Sequence, residues 1–295
     1  MAFNWKTFQT RTLTAIVFAA VMLTGLLWNQ WSFLILFSII HFGCWWEYFN
    51  LQEKINNTIY HRYTRLAFML LGYAVILWFC GPVFKINNFS LKENFSFPVS
   101  VAGFVFLVLG IFQGKKINWK KFGAAALGLF YISLSWGLMM NLYQEIDVHI
   151  NDTGFITAGN FIPLVIVASI WINDTLAYVV GSLIGKTHLS GISPKKTWEG
   201  TIGGIVLCVV VVGFLFMKTF YSLNENYINY FLATIAAIAS IIGTFGDLLE
   251  SKLKRMAGVK DSGDLMPGHG GFLDRFDSML LAIPAVWFYV LLFIK

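Results

Sequence analysis

Long apolar runs recur along the whole chain, and each is close to the length that crosses a bilayer. They fall near 12–28, 31–49, 66–84, 97–113, 122–142, 160–182, 201–217, 229–249 and 276–294. A helix needs about 20 apolar residues to span the hydrocarbon layer. In lipid every backbone polar group must be paired within its own segment. The pattern therefore predicts an all-α, polytopic integral membrane protein with about nine transmembrane helices. Composition agrees: 57% of the 295 residues are hydrophobic and 12% are charged, against roughly 25% charged in a soluble domain.

Charge orients the chain. With the N-terminus on the cytoplasmic side, all but four of the 21 Lys and Arg residues fall inside. Only Lys85, Lys92, Lys218 and Lys295 fall outside. Cytoplasmic loops of membrane proteins carry this excess. The net charge of +6 thus reports topology, and no nucleic-acid partner is expected. The run beginning near Leu13 ends in Trp28-Asn29-Gln30-Trp31 without a small-residue cleavage site, so it reads as a retained helix. Cys44, Cys80 and Cys208 stand singly, which supports neither zinc nor a disulfide framework.

The chain divides by character into N-terminal transmembrane helices over 1–150, with plain basic loops, and a C-terminal catalytic transmembrane region over 151–295. The second part holds acids, glycines and lysines where lipid-facing helices would exclude them. Asn173-Asp174-Thr175 interrupts an apolar span. An intramembrane Asp is costly and marks function by default, although Asn173 and Thr175 could equally bond a neighbouring helix. Gly185-Lys186-Thr187 is like the end of a P-loop, but Val180 stands where the first glycine belongs, and a membrane helix precedes it.

The next block, Ser193-Pro194-Lys195-Lys196-Thr197-Trp198-Glu199-Gly200, sets hydroxyls and two lysines before a helix expected near Thr201. Helix N-termini attract anions; an ordinary basic cytoplasmic loop would account for the lysines as well. Further on, Asp247, Glu250, Ser251 and Lys254 follow helical spacing. Glu250 and Lys254 could form a plain surface pair, which leaves Asp247 as the better metal ligand. Lys252, Lys254 and Arg255 could hold phosphates or anchor at headgroups. Pro267-Gly268-His269-Gly270-Gly271 allows close backbone approach to a ligand. Asp274, Arg275 and Asp277 follow at a helix start, where acids also suit the helix dipole. Carboxylates beside lysines point to Mg²⁺-assisted phosphoryl or nucleotidyl transfer from a cytosolic donor.

These blocks, over roughly residues 170–280 and in the same order, resemble the signature of phosphatidate cytidylyltransferases (CDP-diacylglycerol synthases). Met266 is a mild departure, standing where Leu, Ile or Phe is usual. The resemblance implies that CTP and phosphatidic acid give CDP-diacylglycerol and pyrophosphate. It implies Mg²⁺, with a monovalent cation as an optional companion, held by Asp247 and Asp274 with Asp174 and Asp277 in support. Lys195, Lys196, Lys254, Arg255 and Arg275 would hold phosphates. Asp247, Asp274, Asp277, Lys254 and Arg255 form the expected catalytic set. Substrate contacts are expected from Asn173, Asp174, Ser193, Lys195, Lys196, Thr197, Ser251, Lys260, His269, Gly270, Gly271 and Arg275. A homodimer in a bacterial-type inner or plasma membrane, with its site facing the cytoplasm, is implied as well. The competing expectations are a CTP-dependent polyprenol kinase, a cytidylyltransferase for an isoprenoid ether lipid and, from another class, an ion-coupled transporter.

Overall fold

A computed structural model describes residues 5–113, 119–143, 147–150, 154–157, 161–220, 226–264 and 270–293. Among these residues there are nine helices, one on each apolar run: α1 (Trp5–Leu27), α2 (Gln30–Asn56), α3 (Arg62–Phe79), α4 (Leu91–Gln113), α5 (Trp119–Leu142), α6 (Phe161–Ile184), α7 (Trp198–Phe220), α8 (Asn226–Met256) and α9 (Leu273–Phe293). Two small antiparallel hairpins add the only strands among the described residues. β1 (Lys85–Ile86) pairs with β2 (Phe89–Ser90), and β3 (Asp147–Ile150) pairs with β4 (Gly154–Thr157).

Six helices, α2, α4, α5, α6, α8 and α9, are long and apolar enough to cross a membrane. Described parts of α1 and α7 supply shorter apolar stretches, Thr12–Leu27 and Trp198–Phe214. α3 opens on Arg62 and Arg65 and is not among the six. The α4 surface has the pattern of a lipid-facing helix. It buries Ser96, Gly103 and Gly110 while exposing Phe97, Phe104 and Phe112. Small residues inside and large apolar ones outside reverse the soluble pattern, as close helix packing in lipid requires. A Cβ on Gly103 would come within 2.9 Å of Leu71 of α3, so glycine there sets how near the two backbones come.

The chain forms two compact units, residues 1–141 with 253–276, and residues 142–252 with 277–295. In the first unit, Asn29 starts α2 with a capping box. Its Oδ1 accepts the N–H groups of Trp31 and Ser32 at 2.9 Å each, and Ser32 Oγ accepts the Asn29 N–H at 3.1 Å. Such a cap is worth about 1 kcal/mol. The chain's polar interruption at Trp28-Asn29-Gln30-Trp31 is therefore a helix boundary with its own hydrogen bonds. α2 ends at Asn57, which takes the left-handed conformation (φ 52°).

α5 contains a π-helical stretch, Leu129–Leu134, which carries Ser133. Ser133 Oγ accepts the Trp45 indole N–H at 2.8 Å and lies 3.1 Å from His41 Nε2. Trp45, Trp136, Phe33, Phe37 and Phe49 form the aromatic centre of this unit. In the second unit, α6 packs along α7. A Cβ on Gly204 would meet the Ala177 backbone at 2.8 Å, and one on Gly200 would meet the Ala177 carbonyl at 2.7 Å. The pair is again joined at small residues.

Candidate active site

In the unit of residues 142–252 and 277–295, the motif residues gather on the C-terminal halves of α6 and α8 and in the loop before α7. They line a cavity of about 390 Å³ that includes Asn173, Asp174, Lys195, Lys196, Thr197 and Asp247. Lys196 Nζ forms an ion pair with Asp247 Oδ2, both side chains being about a quarter exposed. Asp247 Oδ1 accepts the Ser251 hydroxyl at 3.2 Å, one turn further along α8. Asn173 is buried, and its Oδ1 has no hydrogen-bond partner among the described residues. Asp277 is buried in the same unit, within electrostatic reach of Asp247, Glu250 and Asp174. A Cβ on Gly246 would lie 2.6 Å from the Asp277 carbonyl and 2.9 Å from Ser278 Cα. Glycine at that position lets α8 and α9 touch beside the carboxylates.

The lysine loop is folded back on itself. Leu189 N–H donates to the Lys196 carbonyl at 2.8 Å, and Trp198 N–H donates to the Thr187 carbonyl at 2.9 Å. Thr197 Oγ1 accepts the Gly200 N–H at 3.2 Å, which makes Thr197 the cap of α7. The helix therefore starts at Trp198 rather than near Thr201, and places Lys195 and Lys196 directly before its first turn. Glu199 accepts the N–H groups of Lys186 and Thr187 at 3.1 Å. The Glu199 backbone N–H, then the Thr187 hydroxyl and those two amides, hold its carboxyl down to about 2. Ser193 is not in the cavity wall; its carbonyl accepts the Lys196 N–H at 3.1 Å.

The other unit holds the remaining motif residues. α8 ends in a Schellman turn at Gly258 (φ 68°), with Val259 N–H bonded to the Lys254 carbonyl at 3.0 Å. Arg255 is exposed and donates to the Val259 carbonyl at 3.3 Å. Lys260 is exposed. Lys254 Nζ pairs with Asp274 Oδ1 at 2.6 Å, the two side chains being 13% and 10% exposed. Asp274 Oδ2 accepts Ser262 N–H and Gly271 N–H at 2.8 Å each and lies 2.9 Å from Ser262 Oγ. Gly270 takes a left-handed φ of 81° beside this carboxylate. Arg275 is half-buried, and its N–H donates to the Phe272 carbonyl at 3.0 Å. His269 lies outside the described residues.

Three residues escaped the sequence reading. Glu250, weighed there as half of a surface pair, is completely buried. Glu47 and Ser262 join the loop around Asp274: Glu47 Oε2 accepts the Ser262 hydroxyl at 2.6 Å. Glu47 also accepts the N–H groups of Phe272 and Leu273 at 2.8 Å each. An acid inside the apolar run over 31–49 was the available signal.

Chemically, the cavity offers hard carboxylate oxygens opposite ammonium groups. Mg²⁺ takes one or two carboxylates and completes its shell with water and phosphate oxygens. Asp174 and Asp247 in the cavity wall could supply such donors, and Asn173 Oδ1, which has no hydrogen-bond partner among the described residues, could add a neutral one. Among the described residues, no cluster of three or more His, Cys, Asp or Glu side chains is already arranged around a metal position.

The chain matches the cytidylyltransferase family over residues 9–293. It is 31% identical over 278 residues to a phosphatidate cytidylyltransferase of Staphylococcus saprophyticus, covering 94% of this chain and 96% of the relative. A phosphatidate cytidylyltransferase of Synechocystis is 35% identical over 214 residues, covering 66% of this chain and 70% of the relative. One of Bacillus subtilis is 46% identical over 125 residues, covering 42% and 45%.

Proposed function

Because this chain belongs to the cytidylyltransferase family, we propose that it transfers the cytidylyl group of CTP to phosphatidic acid. The products are CDP-diacylglycerol, a phospholipid precursor, and pyrophosphate. The observation that carries the reading is the cavity in which Lys195 and Lys196 face Asp174 and Asp247 among apolar helices. A lipid substrate keeps its acyl chains in the bilayer and brings only its phosphate to such a cavity.

In this reaction a phosphatidate oxygen forms a bond to the α-phosphorus of CTP, and the α–β anhydride bond breaks to release pyrophosphate. Bound Mg²⁺, with a monovalent cation as an optional companion, would neutralise charge as the anhydride breaks. Asp247, Asp174 and Asp277 are its proposed ligands. Asp274, whose Oδ1 holds Lys254 in the structure, is proposed as a ligand as well. Lys195 and Lys196 hold nucleotide phosphates next to the first turn of α7, whose positive dipole end adds to their attraction. Lys254, Arg255, Lys260 and Arg275 hold the remaining phosphate charge. Asn173, Thr197, Ser251, Gly270 and Gly271 shape the substrate contacts, with Ser193 and His269 beside them. No nucleophilic side chain is needed, since the lipid phosphate itself attacks.

We assign the N-terminus, the loop over 183–200 and the loop over 250–275 to the cytoplasmic side of a bacterial-type inner or plasma membrane. The distribution of Lys and Arg supports this orientation. All nine helices are read as spans, with a homodimer as the working assembly.

The test uses purified protein in detergent micelles with phosphatidic acid, α-labelled CTP and Mg²⁺. Label in the lipid phase with matching pyrophosphate is the expected result. Label remaining aqueous as CDP, with a prenol as acceptor, would replace the proposal with a kinase. Transfer only to an ether lipid would change the acceptor. Ion flux in sealed vesicles without nucleotide turnover would make the protein a transporter.

A further inference from the structure

We infer that Glu47 of α2 is a positioning residue for this reaction, holding Ser262 and the Gly271–Leu273 segment in place beside Asp274. The inference rests on the proposed role of Asp274 and Lys254. Glu47 lies far from every motif in sequence, in a helix whose neighbouring residues are aromatic. The residue is 5% exposed, yet it pairs with no cation among the described residues. Instead it takes three hydrogen bonds from one loop, from Ser262 Oγ, Phe272 N–H and Leu273 N–H, at 2.6 to 2.8 Å. Those two N–H groups belong to the start of α9, so Glu47 also meets the positive end of that helix.

The loop is built to receive this carboxylate. A Cβ on either Gly263 or Gly271 would overlap Glu47 itself. Larger residues at these positions would push the acid out, so two glycines of the loop serve Glu47 directly. Ser262 stands between two carboxylates: its Oγ is 2.6 Å from Glu47 Oε2 and 2.9 Å from Asp274 Oδ2. Its one hydroxyl hydrogen can be given to only one of them, and the shorter distance assigns it to Glu47. The Ser262 N–H remains for Asp274. Glu47 thereby fixes the Ser262 rotamer and the backbone that presents N–H groups to Asp274, whose other oxygen holds Lys254. The same acid lines a cleft of about 1070 Å³ with Trp46, Asn50, Lys54 and Phe272.

The experiment measures kcat, both KM values and the thermal midpoint of the full-length enzyme in micelles for Glu47→Gln, Ser262→Ala, the double variant and Asp274→Asn. An amide at position 47 presents an N–H₂ where two N–H groups and a hydroxyl now donate, so the loop must shift. Loss of such supporting contacts costs about 10- to 100-fold. For Glu47→Gln we expect kcat to fall by that factor with the KM for phosphatidate unchanged. We expect the double variant to be no slower than the slower single variant. A protein needing Glu47 only for folding would lose active molecules, lowering apparent kcat in step with the folded fraction; that result overturns the inference. So does parental kcat in folded Glu47→Gln, or a double variant whose loss is the product of the two single losses. Where Glu47→Gln fails to fold, Ser262→Ala decides by the same criteria. Turnover surviving in Asp274→Asn would remove the reading beneath the inference; a dead Asp274→Asn beside a fully active Glu47→Gln would remove the inference alone.

Discussion

Lys254 and Asp274 meet at 2.6 Å with both side chains nearly buried. Removing one partner of a buried pair leaves an uncompensated charge, at a cost of about 3–5 kcal/mol. Asp274 additionally receives donors from Ser262 and Gly271. Asp274→Asn is expected to abolish turnover and Lys254→Ala to lower kcat at least about 100-fold. Steady-state assays on protein that remains monodisperse by gel filtration check both. Full activity in Asp274→Asn would remove the carboxylate from the reaction.

The two lysines before α7 should differ although they are neighbours. Lys195 lines the cavity, whereas Lys196 is also the counter-ion of Asp247. Lys195→Ala is expected to raise the KM for CTP with little change in kcat, the signature of lost ground-state binding. In Lys196→Met, Asp247 no longer has its ammonium partner, so Mg²⁺ meets less competition there. The half-saturating Mg²⁺ concentration is expected to fall while the KM for CTP rises. A Mg²⁺ titration of each variant decides; an unchanged titration in Lys196→Met would separate Asp247 from the metal.

At Gly246, α8 lies directly against the backbone of α9. Gly246→Ala puts a methyl group 2.6 Å from the Asp277 carbonyl, a backbone atom that cannot step aside alone. Overpacking of this kind costs about 1–3 kcal/mol. A lower thermal midpoint in micelles and a weaker Mg²⁺ response are expected together, since Asp277 moves with its carbonyl. Gly213, whose Cβ would meet nothing within 4 Å, serves as the control substitution.

The sequence disclosed the helices because lipid leaves few alternatives: each of the nine apolar runs lies on one helix. It also disclosed Asp174, Asp247, Lys195 and Lys196, which share one cavity wall. Charged groups in apolar surroundings stand out whatever their partners. The partners themselves were hidden. Glu47 and Ser262 are 215 residues apart in sequence, and spacing along a helix says nothing about a contact made through tertiary folding. Glu250 fitted a surface pair by its i, i+4 distance to Lys254, but burial depends on which helices cover that face. The hairpin of β3 and β4 was concealed in a loop, because four-residue strands carry too short an alternation to register.

Glu199 gives a prediction about pH. Its carboxyl is held from an ordinary 4.5 down to about 2 by its own N–H, the Thr187 hydroxyl and the amides of Lys186 and Thr187. A depressed folded-state value means that its contribution is fully present above 4.5 and is lost as pH falls through about 2. The loop around Lys186 should therefore keep its form across roughly pH 5 to 8. Tryptic cleavage after Lys186, corrected for trypsin's own pH profile, is expected to be slow and constant over that range. Glu199→Gln should open the loop, because an amide offers one oxygen where the carboxylate offers two to the amides of Lys186 and Thr187. Faster cleavage at Lys186 in that variant, equal at both ends of the pH range, is the expected result. Cleavage as slow as in the parent would show that the backbone bonds between Leu189 and Lys196 and between Trp198 and Thr187 hold the loop without Glu199.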